Sequence, residues 1–212
     1  MEKRIFKDTI YGAIAGMSKA FSHANRLEII DLLANGEKTV EQIAFQTHIS
    51  VANASQHLQI LKVARLVKKR REGNFIWYTL SAPQVYAAWK AFRDLAVQQN
   101  PAIPAMVRQF HANMNSAEVM SFTASPTGKP VFLLDVRPAD EFAAGHLPGA
   151  CSIPISELAQ RMPELPRDNT IVTYCRGAFC TYADEAVQLL HTNGFHAVRL
   201  AENYLDVKFG CN

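Results

Sequence analysis

The sequence predicts two domains of different class: a mainly α domain carrying a basic β-hairpin, then an α/β domain with a parallel sheet. Three observations carry this reading. Apolar residues recur at helical spacing through most of the first hundred positions, until a strand–turn–strand stretch rich in Lys and Arg. From residue 131 onward, short apolar strands alternate with helix signals, the pattern of a buried parallel sheet. Charge divides along the same line. Residues 1–100 carry fourteen Lys and Arg against eight Asp and Glu, and residues 101–212 carry eight against eleven. The basic half is the one suited to nucleic acid.

With 212 residues, two domains are the natural expectation. A composition of 49% hydrophobic and 19% charged residues is that of a globular chain, not a disordered one. No apolar run approaches the roughly 18–20 residues of a membrane span. The opening Met1-Glu-Lys-Arg-Ile-Phe-Lys lacks the apolar core and cleavage site of a signal peptide. A cytoplasmic location with no membrane partner is therefore expected. All four cysteines (Cys151, Cys175, Cys180, Cys211) fall in the acidic half. In a cytosolic chain such clustering points to catalytic, metal or redox chemistry before disulfide staples.

Residues 9–21 and 24–34 set Ile10, Ile14, Met17 and Phe21, then Leu27, Ile30 and Leu33, on helical faces, with Asn35-Gly36 as a stop. Thr39 is placed to cap a helix from Val40 to Thr47, and Ser50 one from Val51 to Val63. The second of these has an apolar stripe at Val51, Ala54, Leu58 and Leu61. Its other face offers Asn53, Ser55, Gln56 and Gln59, short hydrogen-bonding side chains suited to base edges and phosphates. Leu66 to Arg71, Glu72-Gly73-Asn74 and Phe75 to Leu80 read as strand, turn and strand. A helix pair followed by such a hairpin is a winged helix-turn-helix. Lys68, Lys69, Arg70 and Arg71 are expected to contact mainly phosphates.

Phe21-Ser-His-Ala-Asn-Arg-Leu-Glu-Ile-Ile, the Ser55-Gln-His57-Leu58-Gln-Ile-Leu61 segment and Ala64-Arg65-Leu66-Val67 resemble the ArsR-type family of bacterial winged-helix repressors. The likeness spans about residues 9–99. It implies a homodimer on a palindromic double-stranded operator, with the helix Pro83 to Gln99 pairing with the first helix at the dimer interface. Arg65 stands where the family commonly has a glycine. Metal sensing is a habit of the family, but the helix Val40 to Thr47 lacks the cysteine pair of its thiolate sensors. The helix Pro83 to Gln99 has no histidine and only Asp94 as a carboxylate. No metal or other cofactor is expected, and His23, His48 and His57 are read as surface or capping residues.

Asn100-Pro-Ala-Ile-Pro104 ends the dimer helix, and Ala105 to Asn115 is expected to form a connecting helix. The expected limits are thus 1–100 for the DNA-binding domain, 101–115 for a linker and 116–212 for the α/β domain. In the latter, Ala117 to Thr123 is expected to be helical, Ser125 to Pro130 a turn and Val131 to Val136 a buried strand. The strand Ile171 to Tyr174, the helix Tyr182 to His191 and the strand Ala197 to Leu200 follow. Between Tyr174 and Tyr182 lies Cys175-Arg176-Gly177-Ala178-Phe179-Cys180-Thr181. A thiol in such a strand-to-helix turn faces loop amides and the positive end of a helix dipole, both of which favour thiolate. Cys151 is read as buried filler, Cys211 as part of a mobile tail, and Glu141 and His146 as organisers of their own loop.

The stretch from Asp135-Val-Arg137-Pro through Glu141-Phe142-Ala-Ala-Gly145-His146 to Ile153-Pro154 resembles the rhodanese family over about residues 116–207, with Cys175 at the place of its catalytic cysteine. The resemblance implies sulfane-sulfur transfer. Cys175 would take a sulfur atom, hold it as a persulfide against Arg176 and the amides of Gly177, Ala178, Phe179, Cys180 and Thr181, and pass it to an acceptor. Two departures weigh against an anionic donor such as thiosulfate. The arginine common near the end of such loops is absent from Phe179-Cys180-Thr181, and the usual glycine pair and tryptophan near the C-terminus are replaced by Ala201-Glu-Asn-Tyr204. Cys180 suggests a switch instead, by attack on a Cys175 persulfide or sulfenate. A phosphatase loop needs arginine six positions after its cysteine, where this chain has Thr181.

The sequence therefore predicts a DNA-binding repressor whose rhodanese-like domain senses or handles reactive sulfur through Cys175 and Cys180. Its small-molecule partner is a sulfane-sulfur donor or another thiol-reactive compound. Two alternatives stay open: a sulfurtransferase tethered to a DNA-binding domain, and an arsenite-responsive repressor for which no third thiol ligand is placed.

Overall fold

The computed structural model describes residues 2–116, 118–121, 130–202 and 204–208. The chain divides into two compact units, 1–95 and 96–212.

The first unit begins with α1 (Lys3–Ser18) and a 3-10 turn, Lys19–Phe21. Then follow α2 (Ala24–Ala34), β1 (Lys38–Thr39), α3 (Val40–Gln46) and α4 (Val51–Val63). The hairpin β2 (Val67–Glu72) and β3 (Phe75–Leu80) precedes α5 (Pro83–Gln99), whose last turn belongs to the second unit. The strands form an antiparallel sheet in the order β1-β3-β2, with β2 and β3 in register from Val67↔Leu80 to Glu72↔Phe75. This is the winged helix-turn-helix. Each half of the helix pair is started by a side-chain cap. Thr39 Oγ1 accepts from the Gln42 amide at 3.3 Å while Gln42 Oε1 accepts from the Thr39 amide at 2.8 Å, and Ser50 Oγ accepts from the Asn53 amide at 3.2 Å.

The buried face of α4 is Ala54, His57, Leu58 and Leu61, packed with Ile29, Ile30 and Ile43. Val51 stays exposed, because the face begins one turn later than expected and His57 fills the place. His57 is therefore a buried residue and not a surface one. Its ring lies 4.4 Å from that of His23, and its Nε2 is 3.4 Å from Asn25 Nδ2. His23 itself caps α2, accepting from the Asn25 amide at 3.2 Å. Arg26 turns back and donates to the carbonyls of Ala20 (2.6 Å) and Lys19 (3.0 Å). The Phe21–Arg26 motif is thus a device that seals the 3-10 turn and ties the start of α2 to α4.

The Leu66 amide reaches the Leu61 carbonyl at 2.9 Å and the Arg65 amide reaches that of Lys62 at 2.9 Å, the paired bonds of a Schellman cap. The residue at its turn, Arg65, has φ +60°. An L-residue with a Cβ pays roughly 1–2 kcal/mol for that conformation and glycine does not. Arg65→Gly is expected to raise the stability of the first unit by about 1 kcal/mol, measured by urea denaturation followed through Trp77 and Trp89. A loss of stability would mean that the Arg65 side chain itself holds the wing.

In the second unit, α6 (Ala102–Asn113) precedes β4 (Val119–Met120), β5 (Val131–Asp135), α7 (Ala139–Ala144) and β6 (Cys151–Ser152). Then come α8 (Ile155–Arg161), β7 (Thr170–Tyr174), α9 (Tyr182–Thr192), β8 (Ala197–Leu200) and α10 (Tyr204–Lys208). The strands make one parallel sheet in the order β4-β8-β7-β5-β6. Buried Leu134, Leu158, Ile171, Ala186, Val187 and Leu190 are among its core residues. The helix expected over Ala117 to Thr123 is absent where the chain is described: Val119 and Met120 pair with Arg199 and Leu200 as an edge strand. A seven-residue helix has little stability of its own, and the open edge of β8 offers ladder bonds instead. Ala117, Phe122 and Thr123, residues 125–129 of the expected turn, and Cys211 lie outside the described residues. Among the described residues no helix is long and apolar enough to cross a membrane.

The connecting helix α6 is fastened to the α/β unit by a buried polar cluster. His111 Nδ1 donates to Asp184 Oδ1 on α9 at 2.7 Å, Ser116 Oγ donates to the same oxygen, and Arg199 Nε of β8 lies 3.3 Å from it. Asp184 is fully buried.

Candidate functional site

Parallel sheets place ligands beyond the carboxyl ends of their strands. Here β7, buried along its whole length, delivers Cys175 to that end, and α9 starts seven residues later. The neighbouring strand β5 ends at Asp135, whose carboxylate holds Arg137: Nη2 at 2.6 Å, Nε at 3.0 Å and the backbone amide at 3.0 Å. Both side chains are fully buried. Arg137 also donates to the Gly145 carbonyl at 2.8 Å and stacks on Tyr174 and Tyr204 at 5.6 and 4.9 Å. Gly145 has no room for a side chain, since a Cβ there would overlap the Tyr204 hydroxyl. The Asp135–Arg137 pair thus serves as the hub of a scaffold under the cysteine loop. His146 stacks on Phe142 at 3.8 Å and bonds the Phe142 carbonyl at 2.9 Å, within its own loop.

Glu141 reaches further. Fully buried, it accepts from Arg176 Nε at 2.9 Å and Nη2 at 2.5 Å, so the loop's cation is held by a carboxylate. Sequence reasoning assigns Arg176 to an anionic sulfur and leaves Glu141 to its own loop; the structure joins the two. The remaining loop residues take different positions. Gly177 adopts φ +118°, which lets the Cys180 amide close a turn onto its carbonyl at 3.0 Å. Ala178, Phe179 and Thr181 are exposed, and Thr181 Oγ1 donates to Glu185 at 2.7 Å.

The two loop thiols perturb each other's ionisation. Cys175, 3% exposed, also directs its Sγ at the Cys180 carbonyl at 3.4 Å. Burial pushes the Cys175 thiol well above its usual value, and the amides of Gly177 and Ala183, which pull the other way, do not offset it. Cys180 is the reverse case. The neighbouring Cys175 thiol, the Arg176 charge and the amides of Arg176 and Tyr182 outweigh burial and bring it down to about 7. The thiolate expected on Cys175 is therefore favoured on its partner five residues on. Cys180 is half-buried, and it forms part of the wall of a cavity with Met106, Val107 and Phe110 of α6. Cys151 sits half-buried at the start of β6, against the core. Among the described residues no group of three or more His, Cys, Asp and Glu side chains could hold a metal ion.

On α4 of the first unit Ser55, Gln56 and Gln59 are exposed and Asn53 is half-buried. Gln59 also borders a groove with Ala13, Gly16 and Met17 of α1. On the wing, Lys68, Lys69, Arg70 and Arg71 are all exposed. Arg70 differs from its neighbours: its guanidinium pairs with Glu37 and with Glu72 and lies 5.6 Å from the Trp77 ring. It braces β2 against the body of the unit.

Residues 23–69 match the arsR family of bacterial regulatory proteins, and residues 112–203 match the rhodanese-like domain. The HTH-type transcriptional regulator Rv0324 of Mycobacterium tuberculosis is 36% identical over 201 residues, covering 94% of this chain and 89% of that protein. The chain belongs to the arsR family of regulators. More narrowly, it is an ArsR-family transcriptional regulator with a C-terminal rhodanese-like domain, as both halves of the fold require. This regulator is also similar to a sulfurtransferase of Allochromatium vinosum, 35% identical over 68 residues, which cover 32% of this chain and 62% of the other. Among solved structures, the homodimeric winged helix-turn-helix domain of a Mycobacterium bovis protein is 34% identical. It covers 47% of this chain and 91% of that one, with a TM-score of 0.44.

Sequence reasoning misses Asp184 and His111, although one signal exists. Asp184 lies on the same α9 face as Ala183, Val187 and Leu190, and a carboxylate on an apolar stripe needs a buried partner.

Proposed function

We propose that this ArsR-family regulator is a homodimeric repressor of a palindromic operator, whose rhodanese-like unit senses reactive sulfur. The observation that carries the reading is the pair Cys175 and Cys180 in one loop, with Cys175 Sγ directed at the Cys180 carbonyl at 3.4 Å, in a chain whose first hundred residues hold no cysteine. Sulfur input must then enter through the second unit. Persulfidation or bridging of the pair alters the loop and α6 beside it, and α6 follows α5 after only Asn100 and Pro101. On the DNA side, Ser55 and Gln56 with Asn53 and Gln59 supply groove contacts. Lys68, Lys69 and Arg71 supply phosphate contacts, with Arg70 as a brace. Dimerisation is supported by α1, which buries none of its residues and exposes Ile5, Phe6, Ile10, Tyr11, Ile14 and Met17. An isolated helix with such a face is not stable in water, whereas α5 exposes Phe92 and Leu95 as a matching surface on a second copy.

The test is an operator titration of the whole protein with and without an organic persulfide. Wild type is expected to lose about tenfold in DNA affinity on treatment and Cys175→Ser to lose none. If both proteins release DNA alike, the sensing reading fails. The likeness to a sulfurtransferase favours a second reading, an enzyme carried on a DNA-binding domain. Sustained turnover of thiosulfate to thiocyanate in the presence of cyanide would favour it over the sensor.

A further inference from the structure

Next to the thiol pair is a cavity of about 270 Å³, walled by Met106, Val107 and Phe110 of α6 and by Phe179, Cys180 and Thr181 of the loop. Two features of it matter. Cys180 is in the wall and Cys175 is not, being 3% exposed behind it. The wall is also apolar apart from Thr181 and includes no charged residue among those described, while the loop's own cation, Arg176, is bound to Glu141. An anion entering such a space would lose water with no charged residue in the wall to meet it, and beside an ionised Cys180, whereas an apolar molecule would gain by it.

We infer that Cys180, not Cys175, is the thiol that first receives sulfur, and that the cavity admits a neutral organic polysulfide such as a dialkyl trisulfide. This rests on the sulfur-sensing reading and narrows it to a substrate class and an order of attack. In the first step the Cys180 thiolate attacks a terminal sulfur of the trisulfide R–S–S–S–R. A Cys180 Sγ–S–R bond forms to that sulfur, the adjacent S–S bond breaks, and the perthiolate R–S–S⁻ leaves. Cys175 then loses its proton to solvent and attacks Cys180 Sγ. A Cys175–Cys180 disulfide forms and RS⁻ leaves. Two thiols are oxidised to a disulfide, and the trisulfide is reduced to a persulfide and a thiol. The charge and amide contacts that favour ionised Cys180 near neutral pH suit the first step, and the position of Cys175 Sγ, 3.4 Å from the Cys180 carbonyl, suits the second. Cys175, buried and hydrogen-bonded to a carbonyl, acts only once Cys180 has been modified.

The full-length protein is treated with diallyl trisulfide or with thiosulfate, and its peptides are read by mass spectrometry over time. Wild type is expected to form the Cys175–Cys180 bridge with the trisulfide and to react at least about tenfold more slowly with thiosulfate. Cys175→Ser should stop at an allylthio adduct on Cys180. Cys180→Ser should react at Cys175 about tenfold more slowly than wild type reacts at Cys180. Met106→Lys places a charge at the exposed mouth of the cavity; it should slow the trisulfide reaction several-fold without slowing alkylation of Cys180 by iodoacetamide. Rapid modification of Cys175 in Cys180→Ser, or a preference for thiosulfate, overturns the assignment. A bridge that forms while operator affinity stays constant supports the assignment and removes only the sensing role.

Discussion

Asp184→Ala is expected to cost the second unit roughly 3–5 kcal/mol, because it strips the shared acceptor from a buried cluster. One carboxylate oxygen there meets His111 Nδ1, Ser116 Oγ and the Arg199 guanidinium, all of them buried. Without it Arg199 becomes an uncompensated charge beneath α6. His111 loses the bond at Nδ1, while its Nε2 already has no partner among the described residues. The cheapest relief is to expose both residues by lifting α6. Native-state hydrogen exchange should therefore show protection lost first along Ala102–Asn113, before the central strands. Asp184→Asn keeps the shape and one acceptor oxygen and should fall between the two. If α6 amides exchange in Asp184→Ala as in wild type, the cluster does not hold the helix.

Glu141→Gln is expected to lower stability by about 3 kcal/mol and at the same time to make Cys180 more acidic. The stability loss comes from leaving Arg176 buried beside a neutral amide. The acidity follows from the sign of the charges around Cys180. Arg176 pulls the thiol down, and by Coulomb's law the Glu141 carboxylate bound to that guanidinium opposes its field, so neutralising it should lower Cys180 further. Alkylation by iodoacetamide across pH should inflect at about 7 in wild type and lower in the variant. An upward move would show that Arg176 leaves the loop when its partner is removed. The same shift bears on stability. The folded-state value of Cys180, about 7, lies below its usual 9.0. Its ionised form therefore stabilises the fold fully above that usual value, and the contribution is lost as pH falls through about 7.

The helices of the winged domain are legible because each has a cap, a periodic face and a stop. The helices α2, α4 and α5 and the strand β3 begin and end within a residue or so of where Ser50, Asn35-Gly36 and the basic turn place them. The short elements β1, β6, α7, α8 and α10 are not legible, since two to seven residues carry no usable period. The strand β4 shows the limit of local reasoning: Val119 and Met120 are extended because β8 has a free edge, a fact of the sheet and not of the segment. At the site, the strand-to-helix loop and its two thiols can be read directly. Which sulfur is ionised cannot. That depends on Glu141, thirty-five residues away, turning Arg176, and on amides whose direction only the folded loop defines.

The fastening of α6 also bears on how such proteins could be assembled from parts. The rhodanese-like match starts at residue 112, which would place the join there. The compact unit, however, begins at residue 96. Phe110 walls the cavity and His111 anchors the helix, yet both precede the match. A gene fusion that carried only residues 112 onward to a new DNA-binding partner would deliver a sulfur module with one side of its cavity missing. The portable unit is the rhodanese-like fold together with the helix in front of it. Inheritance of the pair as one block is what would let a new regulator acquire a working thiol site in a single step.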